Sequence, residues 1–364
     1  MTLISDTARA WVDVDLSALA ANARTLAELS GSRLLPMVKA NGYGLGAGAV
    51  ARALEALEPW GYGVASVEEG AALRQAGIVR PILVVTPLLP DAIEGHLAHD
   101  LRPSIGDPAT LDAWCRRGSR PFHVEIDTGM ARAGFRWTDA PALAAAAALL
   151  HAAPGWEGVF THFHSAESVP ATAAEQWERL QGVLTALPRR PALVHAANSA
   201  GALCGRGYAG DLIRPGIFLY GGGAGARAPV PVAALRTRVL AVRRLDEGDT
   251  VSYGATWQAP RPTTVATLAL GYADGFPRAA IEGAPTRPAR LIEVNGVLAP
   301  VVGRVTMDMT MIDVGDASVA PGDVATVYGG RVSIDEQASA AGTIAYELLT
   351  GLAARVPRRY RSAV

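Results

Sequence analysis

The chain has 364 residues, half of them hydrophobic and 18% charged, with 34 acidic and 33 basic side chains and a formal net charge of -1. That length fits two domains, or one large barrel with an appended domain. The apolar fraction excludes a disordered chain, the balanced charge offers no electrostatic footprint for nucleic acid, and the longest apolar run, residues 142–150, is far short of the ~20 residues that cross a bilayer.

No basic stretch followed by an apolar one opens the sequence MTLISDTARA, so no signal peptide is expected. Cys115 and Cys204 form no CxxC pair, as in a reduced cytoplasmic protein, and both are expected to be small buried hydrophobes.

Over the first ~220 residues, short apolar runs alternate with helical patterns. Residues 11–15 read as a strand, and Ser17 as the cap of a helix with Leu19, Ala23, Leu26 and Leu29 on one face. Residues 34–39 are the next strand, followed by a glycine-rich loop and an alanine-rich helix near 47–57. After a strand at 61–65, a capping box at Ser66-Val67-Glu68-Glu69 opens a helix that closes at Gly77. Further strands are expected at 82–86, 102–105, 122–127, 158–162, 193–197 and 212–214. Eight or nine such βα units predict an α/β fold with an N-terminal (β/α)8 TIM-type barrel over residues 1–225; an open doubly wound sheet is the alternative. The glycine- and proline-rich stretch 221–231 reads as a linker. Residues 226–364 then predict a mainly β C-terminal domain, with strands at 235–245, 264–270, 289–294, 301–305, 311–314 and 324–328 and a capped helix from Ser333. His96, His99 and His151 read as solvated helix positions, Glu68 and Glu69 as helix-dipole charges, and Arg358, Arg359 and Arg361 as tail charges.

Of the 33 basic side chains, 32 are arginine and Lys39 is the only lysine. A guanidinium stays protonated, whereas a desolvated lysine amine attacks carbonyls, so imine chemistry has one candidate in this chain. Lys39 ends a predicted barrel strand. Asp127 and His162 end two others, while Asn198, Ser199 and Arg214 follow strands, all at the end of a parallel barrel where catalytic groups collect. The Ser199 hydroxyl with the backbone amides of Gly216 and Ile217 would suit a phosphate. Two other chemistries compete. Gly42-Tyr43-Gly44-Leu45-Gly46-Ala47 fits a dinucleotide fingerprint but lacks the acidic residue expected ~20 positions on. His162 and His164, with His123, Glu125 and Asp127, could instead build the metal site of a barrel hydrolase.

Several segments resemble the motifs of alanine racemases. They are Met37-Val38-Lys39-Ala40-Asn41-Gly42-Tyr43-Gly44, Ile126-Asp127-Thr128-Gly129-Met130-Ala131-Arg132, Thr161-His162-Phe163, His195-Ala196-Ala197-Asn198-Ser199 and Ile213-Arg214-Pro215-Gly216-Ile217. Gly271-Tyr272-Ala273-Asp274-Gly275 and Val302-Gly303-Arg304-Val305-Thr306-Met307-Asp308 continue the likeness. It spans almost the whole chain in the family's order. The resemblance implies a fold-type III enzyme that uses pyridoxal 5'-phosphate (PLP), works as a homodimer with active sites shared between subunits, and interconverts L- and D-alanine for peptidoglycan. It assigns Lys39 as PLP attachment point and one base, and Tyr272, from the other subunit, as the base on the opposite face. Two bases on two faces are what stereoinversion requires. By the same resemblance, Tyr43, Asn198, Ser199, Gly216, Ile217 and Tyr346 bind the cofactor with His162 and Arg214, the latter facing the pyridine nitrogen. Arg132 would hold the substrate carboxylate with the partner's Met307 amide, and Asp308 would lie near. No metal is implied.

The sequence also departs from the family. Glu125 stands where many members carry a lysine that is carbamylated to anchor the arginine; here it is expected to pair with Arg132, directly or through water. Leu45 replaces a common histidine and Ala345 a common asparagine. The remaining alternatives are a racemase of serine or a broader amino-acid range, and a non-catalytic PLP-homeostasis barrel protein, a single-domain type against which the β domain with Tyr272 argues.

Overall fold

The computed structural model describes residues 7–278 and 289–361. Nine apolar runs compete for eight places in the barrel, and the first is excluded. Strand β1 (Ala10–Asp15) pairs antiparallel with a C-terminal strand and parallel with the end of the chain. Asp13 supplies a physical reason: it sits 8% exposed in mid-strand, where its carboxylate meets Arg236 at 2.7 Å and Arg361 at 3.4 Å, both from those flanking strands.

The barrel consists of β2 (Arg33–Leu34), β3 (Tyr62–Val64), β4 (Ile82–Pro87), β5 (Arg102–Ile105), β6 (Phe122–Asp127) with its short neighbour β7 (Phe135–Arg136), β8 (Trp156–Phe160), β9 (Leu193–His195) and β10 (Leu212–Ile213). A curled parallel ladder runs β3-β4-β5-β6-β8-β9. Parallel pairing of β2 with β10 and a Met37–Gly63 bridge join the other two strands to one edge. At the other edge, Asp211 N donates to Val194 O and Arg214 N to Ala197 O. These bonds complete the ring, and most of its strand residues are buried, as both faces of a parallel sheet are covered.

The second part is mainly β: β11 (Ala233–Leu245), the hairpin β12 (Thr250–Val251) and β13 (Trp257–Gln258), β14 (Thr263–Leu268), β15 (Leu291–Val294), β16 (Val297–Pro300), β17 (Thr310–Asp313), β18 (Val324–Tyr328) and β19 (Arg358–Arg361). The strand expected at 301–305 lies instead at Val297–Pro300, hairpinned to β15 through Asn295-Gly296, both at positive φ. The arginines read as tail charges form β19, where Arg359 stacks over Trp11 at 4.3 Å. The strand expected at 289–294 begins at Leu291.

Local signals fared unevenly. The helix Leu16–Ser30 is capped by Asp15, not Ser17, because the Asp15 carboxylate accepts from the Ser17 and Ala18 amides. Ser333 and Glu336 form a complete capping box, as the motif predicts. His96 is 2% exposed, its Nδ1 bonded to Ala92 O at 2.9 Å, so it is not solvated. Cys115 is only partly buried and Cys204 is exposed; packing rather than residue type decides both. Among the described residues, no helix is long and apolar enough to cross a membrane.

Candidate active site

A cavity of about 240 Å³ opens at the C-terminal ends of the barrel strands. Of the residues singled out in the sequence, Lys39, Tyr43, Glu125, Arg132, His162, Asn198, Ser199, Arg214, Gly216 and Tyr346 line it, joined by Met37, Val85 and Phe160. Ile217 is buried at 1% exposure. Tyr272, Met307 and Asp308 do not line it.

Lys39 leaves β2 into a left-handed turn. Ala40, Asn41, Gly42, Tyr43 and Gly44 have φ of 52°, 54°, 62°, 51° and 79°. Each non-glycine residue there costs about 1–2 kcal/mol, so three of them need strong tethers. Glu69 is one. Its Oε1 accepts from Ala40 N at 2.6 Å and its Oε2 from Ala65 N at 2.7 Å, tying the ends of β2 and β3 together. The capping box read at Ser66 is therefore half-formed: Ser66 caps the Glu69 amide, but the carboxylate serves the turn instead. Arg358 Nε donates to Gly44 O at 2.8 Å, and a Cβ on Gly44 would meet Leu349 O at 2.1 Å. The dinucleotide fingerprint is thus spent on presenting Lys39 and Tyr43. Burial, then the neighbouring Arg132 and Arg214 cations, lower the Lys39 pKa against an opposing effect of Glu69. Its amine is biased toward the neutral, nucleophilic form.

Arg214 is 4% exposed and bonds only neutral groups: His195 Nδ1 at 2.7 Å, Thr161 O at 2.6 Å, Ala196 O at 3.0 Å and, at 3.4 Å, His162 Nδ1. Burial pushes its pKa down to about 10, which still leaves it cationic at neutral pH. Burial and the cations Arg214, Arg132 and Lys39 push His162 down to about 3, so it is a neutral acceptor. Among the described residues, no cluster of three His, Cys, Asp or Glu side chains is placed to hold a metal.

Arg132 lies on the loop after β6. The Asp127 Oδ1 accepts from the Gly129 and Ala131 amides, both at 3.0 Å, and so shapes the loop rather than entering the cavity. Glu125 is 4% exposed and accepts from Ser104 Oγ at 3.3 Å. No ion pair joins it to Arg132 among the described residues, so the direct pairing is not formed; Arg132 acts on it through the field, against the upward shift caused by burial.

The residues read as a phosphate cradle gather around Gly216. Ser199 Oγ accepts from Gly216 N at 2.8 Å, and a Cβ at Gly216 would lie 2.3 Å from Tyr43 Oη, so glycine leaves the phenol its place. Tyr43 stacks on Tyr220 with centroids 4.4 Å apart, and Tyr346 leans over it at 5.9 Å. Asn198 caps the following helix through Gly201 N at 2.9 Å.

A second cluster holds Tyr272, Met307 and Asp308. Tyr272 N donates to Thr306 O and Ala273 N to Met307 O, both at 3.0 Å. Asp274, 1% exposed, accepts from Gly271 N at 2.9 Å and pairs with Arg9 at 2.6 Å and Arg355 at 2.7 Å; Arg355 also reaches Asp308 at 2.6 Å. Tyr272 and Met307 project from it, 40% and 53% exposed. Sequence reasoning read Glu69 as a helix-dipole charge and His123 as a possible metal ligand, and gave Arg355 and the deeper His195 no role of their own. His123 on β6 and His195 on β9 are separated by β8, and no local pattern shows that their rings meet.

A barrel whose strand ends gather a desolvated lysine, a buried arginine and the Tyr43–Gly216 contact, followed by a β domain presenting a clamped tyrosine, has the architecture of a barrel enzyme with an appended β domain. Residues 14–224 match the family described as alanine racemase, N-terminal domain, and residues 232–360 that of alanine racemase, C-terminal domain. The alanine racemase of Symbiobacterium thermophilum is 39% identical over 371 residues, covering 96% of both chains. The crystal structure of the alanine racemase of Streptomyces lavendulae, a D-cycloserine producer, superposes with a TM-score of 0.90 at 29% identity, covering 99% of each chain. That of Bartonella henselae, with covalently bound pyridoxal phosphate, gives 0.87 at 29% identity, over 97% of this chain and 100% of that one. The chain belongs to the alanine racemase family, a family of isomerases.

Proposed function

We propose that the chain interconverts L- and D-alanine with PLP, in the cytoplasm, as a homodimer whose subunits complete each other's sites, and that it supplies D-alanine for peptidoglycan. The observation that carries this reading is the convergence of Lys39, Arg214 and the Tyr43–Gly216 cradle on one cavity. Lys39 would take the cofactor aldehyde, Tyr43, Ser199, Gly216, Ile217 and Tyr346 its phosphate, and Arg214 its pyridine nitrogen, with Asn198 and His162 beside them. When bound, PLP supplies the electron sink that makes an amino acid's α-proton removable.

The rest falls to the chain's own groups. Arg132 orients the substrate carboxylate with the partner subunit's Met307, and Asp308 and Glu125 support that arrangement. Lys39, biased toward its neutral form, takes or returns the α-proton on one face. A guanidinium facing the ring nitrogen would donate a hydrogen bond without giving up its proton, which would limit charge delocalisation and side reactions. Tyr272 acts on the opposite face. It lies outside the cavity of its own chain, exposed on a turn held by Asp274, and this supports its supply to a second copy.

The test is Tyr272→Phe assayed with both alanine enantiomers alongside serine. Racemisation is expected to fall by several orders of magnitude while PLP stays bound. A wild-type rate would remove Tyr272 as a base, and faster turnover of serine by the wild type would move the assignment to serine.

A further inference from the structure

We infer that Glu157, at the N-terminal end of the barrel, positions Arg214 at the opposite end through a chain of hydrogen bonds in which every proton has one place. Arg214 Nη1 lies 2.7 Å from His195 Nδ1, and His195 Nε2 lies 2.8 Å from His123 Nδ1. His123 Nε2 lies 3.2 Å from Glu157 Oε2, which also accepts from Arg102 Nε at 2.7 Å. Arginine has only donors and a carboxylate only acceptors. His195 Nδ1 must therefore accept; its Nε2 carries hydrogen and donates to His123 Nδ1, and His123 Nε2 carries the hydrogen that reaches Glu157.

Both imidazoles are neutral in this arrangement. Each is fully buried, and burial, together with the nearby arginines, disfavours its charged form, which outweighs the attraction of Glu157 for His123. Burial raises the Glu157 pKa, but the His123 bond and Arg102 outweigh it and keep the group ionised.

The packing is built around these rings. His123 fills the space left by Gly158, where a Cβ would lie 2.6 Å from its Nδ1. Phe160 stacks on His195 at 5.0 Å and 11°, and the Arg214 guanidinium lies over the same phenyl ring at 5.1 Å. Arg214 is a buried cation with no carboxylate in direct contact among the described residues, an arrangement that is costly unless compensated. The chain gives it an anionic terminus two imidazoles away, and polarisation along successive bonds strengthens each of them. Glu157, His123 and His195 are positioning residues. Their link to catalysis rests on the role of Arg214 proposed above; the proton arrangement does not.

The proton arrangement is read by nitrogen NMR of the apo-protein with 15N-labelled histidine. His123 and His195 are expected as neutral Nε2–H tautomers, and an Nδ1–H tautomer or an imidazolium at either overturns the chain. Glu157→Gln can donate as well as accept, so it is expected to mix the His123 tautomers. In the holoenzyme it should shift the visible cofactor band and lower kcat by about tenfold, with KM for alanine little changed, as for one lost bond to a charged group. Gly158→Ala removes no polar group but displaces the imidazole, and should reproduce both effects. A folded Glu157→Gln with wild-type nitrogen shifts, band and kcat would overturn the inference. Absence of any cofactor band in the wild type counts against the function proposed above and leaves the nitrogen spectra to decide the chain.

Discussion

Lys39 shares its cavity with Arg132 and Arg214, and among the described residues no carboxylate bonds its amine. Burial, and then the neighbouring cations, disfavour protonation, so the amine is free at lower pH than that of a solvated lysine. Lys39→Arg keeps the charge and much of the length but cannot form an imine. The purified variant is expected to be colourless and inactive, and absorbance after incubation with PLP checks this. Gly216 is the complementary case. An alanine Cβ there would sit 2.3 Å from the Tyr43 hydroxyl. Gly216→Ala is expected to weaken PLP binding at least about tenfold, roughly one lost hydrogen bond, and to cost about 1–3 kcal/mol of stability because the buried phenol must shift; titration of apo-protein with PLP and urea unfolding measure the two effects. Lys39 could be found by counting lysines. The demand at Gly216 comes from a tyrosine 173 positions away in the chain, which no local pattern reveals.

At the scale of elements, the left-handed turn after β2 depends on contacts from elsewhere. Glu69, from the helix Val67–Gln75, holds it from one side, and Arg358 and Leu349 hold it from the other. Glu69→Ala removes two charge-assisted bonds from a half-buried carboxylate. It is expected to cost about 2–4 kcal/mol in urea unfolding and to loosen PLP, whereas Glu68→Ala, at an exposed neighbour, should change little. Helix periodicity placed Glu69 correctly on its helix, but the capping motif misassigned its carboxylate because the competing donor, Ala40 N, comes from another strand end. The same applies to β1. Alternation marks it as a strand, yet which sheet it joins follows from where Asp13 finds its arginines.

For the whole molecule, buried neutral histidines govern acid stability. The native pKa of His162 is held near 3, and those of His123 and His195 are also lowered. Below about pH 6.5 the unfolded chain binds protons that the native state refuses, so stability falls as pH falls, and for His162 it continues to fall toward pH 3. Glu125, raised by burial, works in the opposite direction with a single carboxyl. Unfolding free energy is expected to drop by at least about 1.5 kcal/mol between pH 6.5 and 5, the share of one such histidine, in denaturant titrations across that range. The exposed Tyr272 and Met307 set a second expectation. If a second copy completes each site, specific activity declines on dilution in step with the dimer fraction from sedimentation, and a rate independent of concentration down to the monomer would refute shared sites.

The amino-acid sequence by itself determined the alternation of strands and helices, the single nucleophilic amine and the ordered motifs that mark the family, because each is written in local periodicity or residue type. The tertiary structure alone decided that β1 leaves the barrel, that Glu69 serves the lysine turn, that Glu125 bonds Ser104 without pairing with Arg132, and that two histidines connect Arg214 to Glu157. All of these are contests between distant groups for one hydrogen bond, charge or space, and such contests are settled only when the chain has folded.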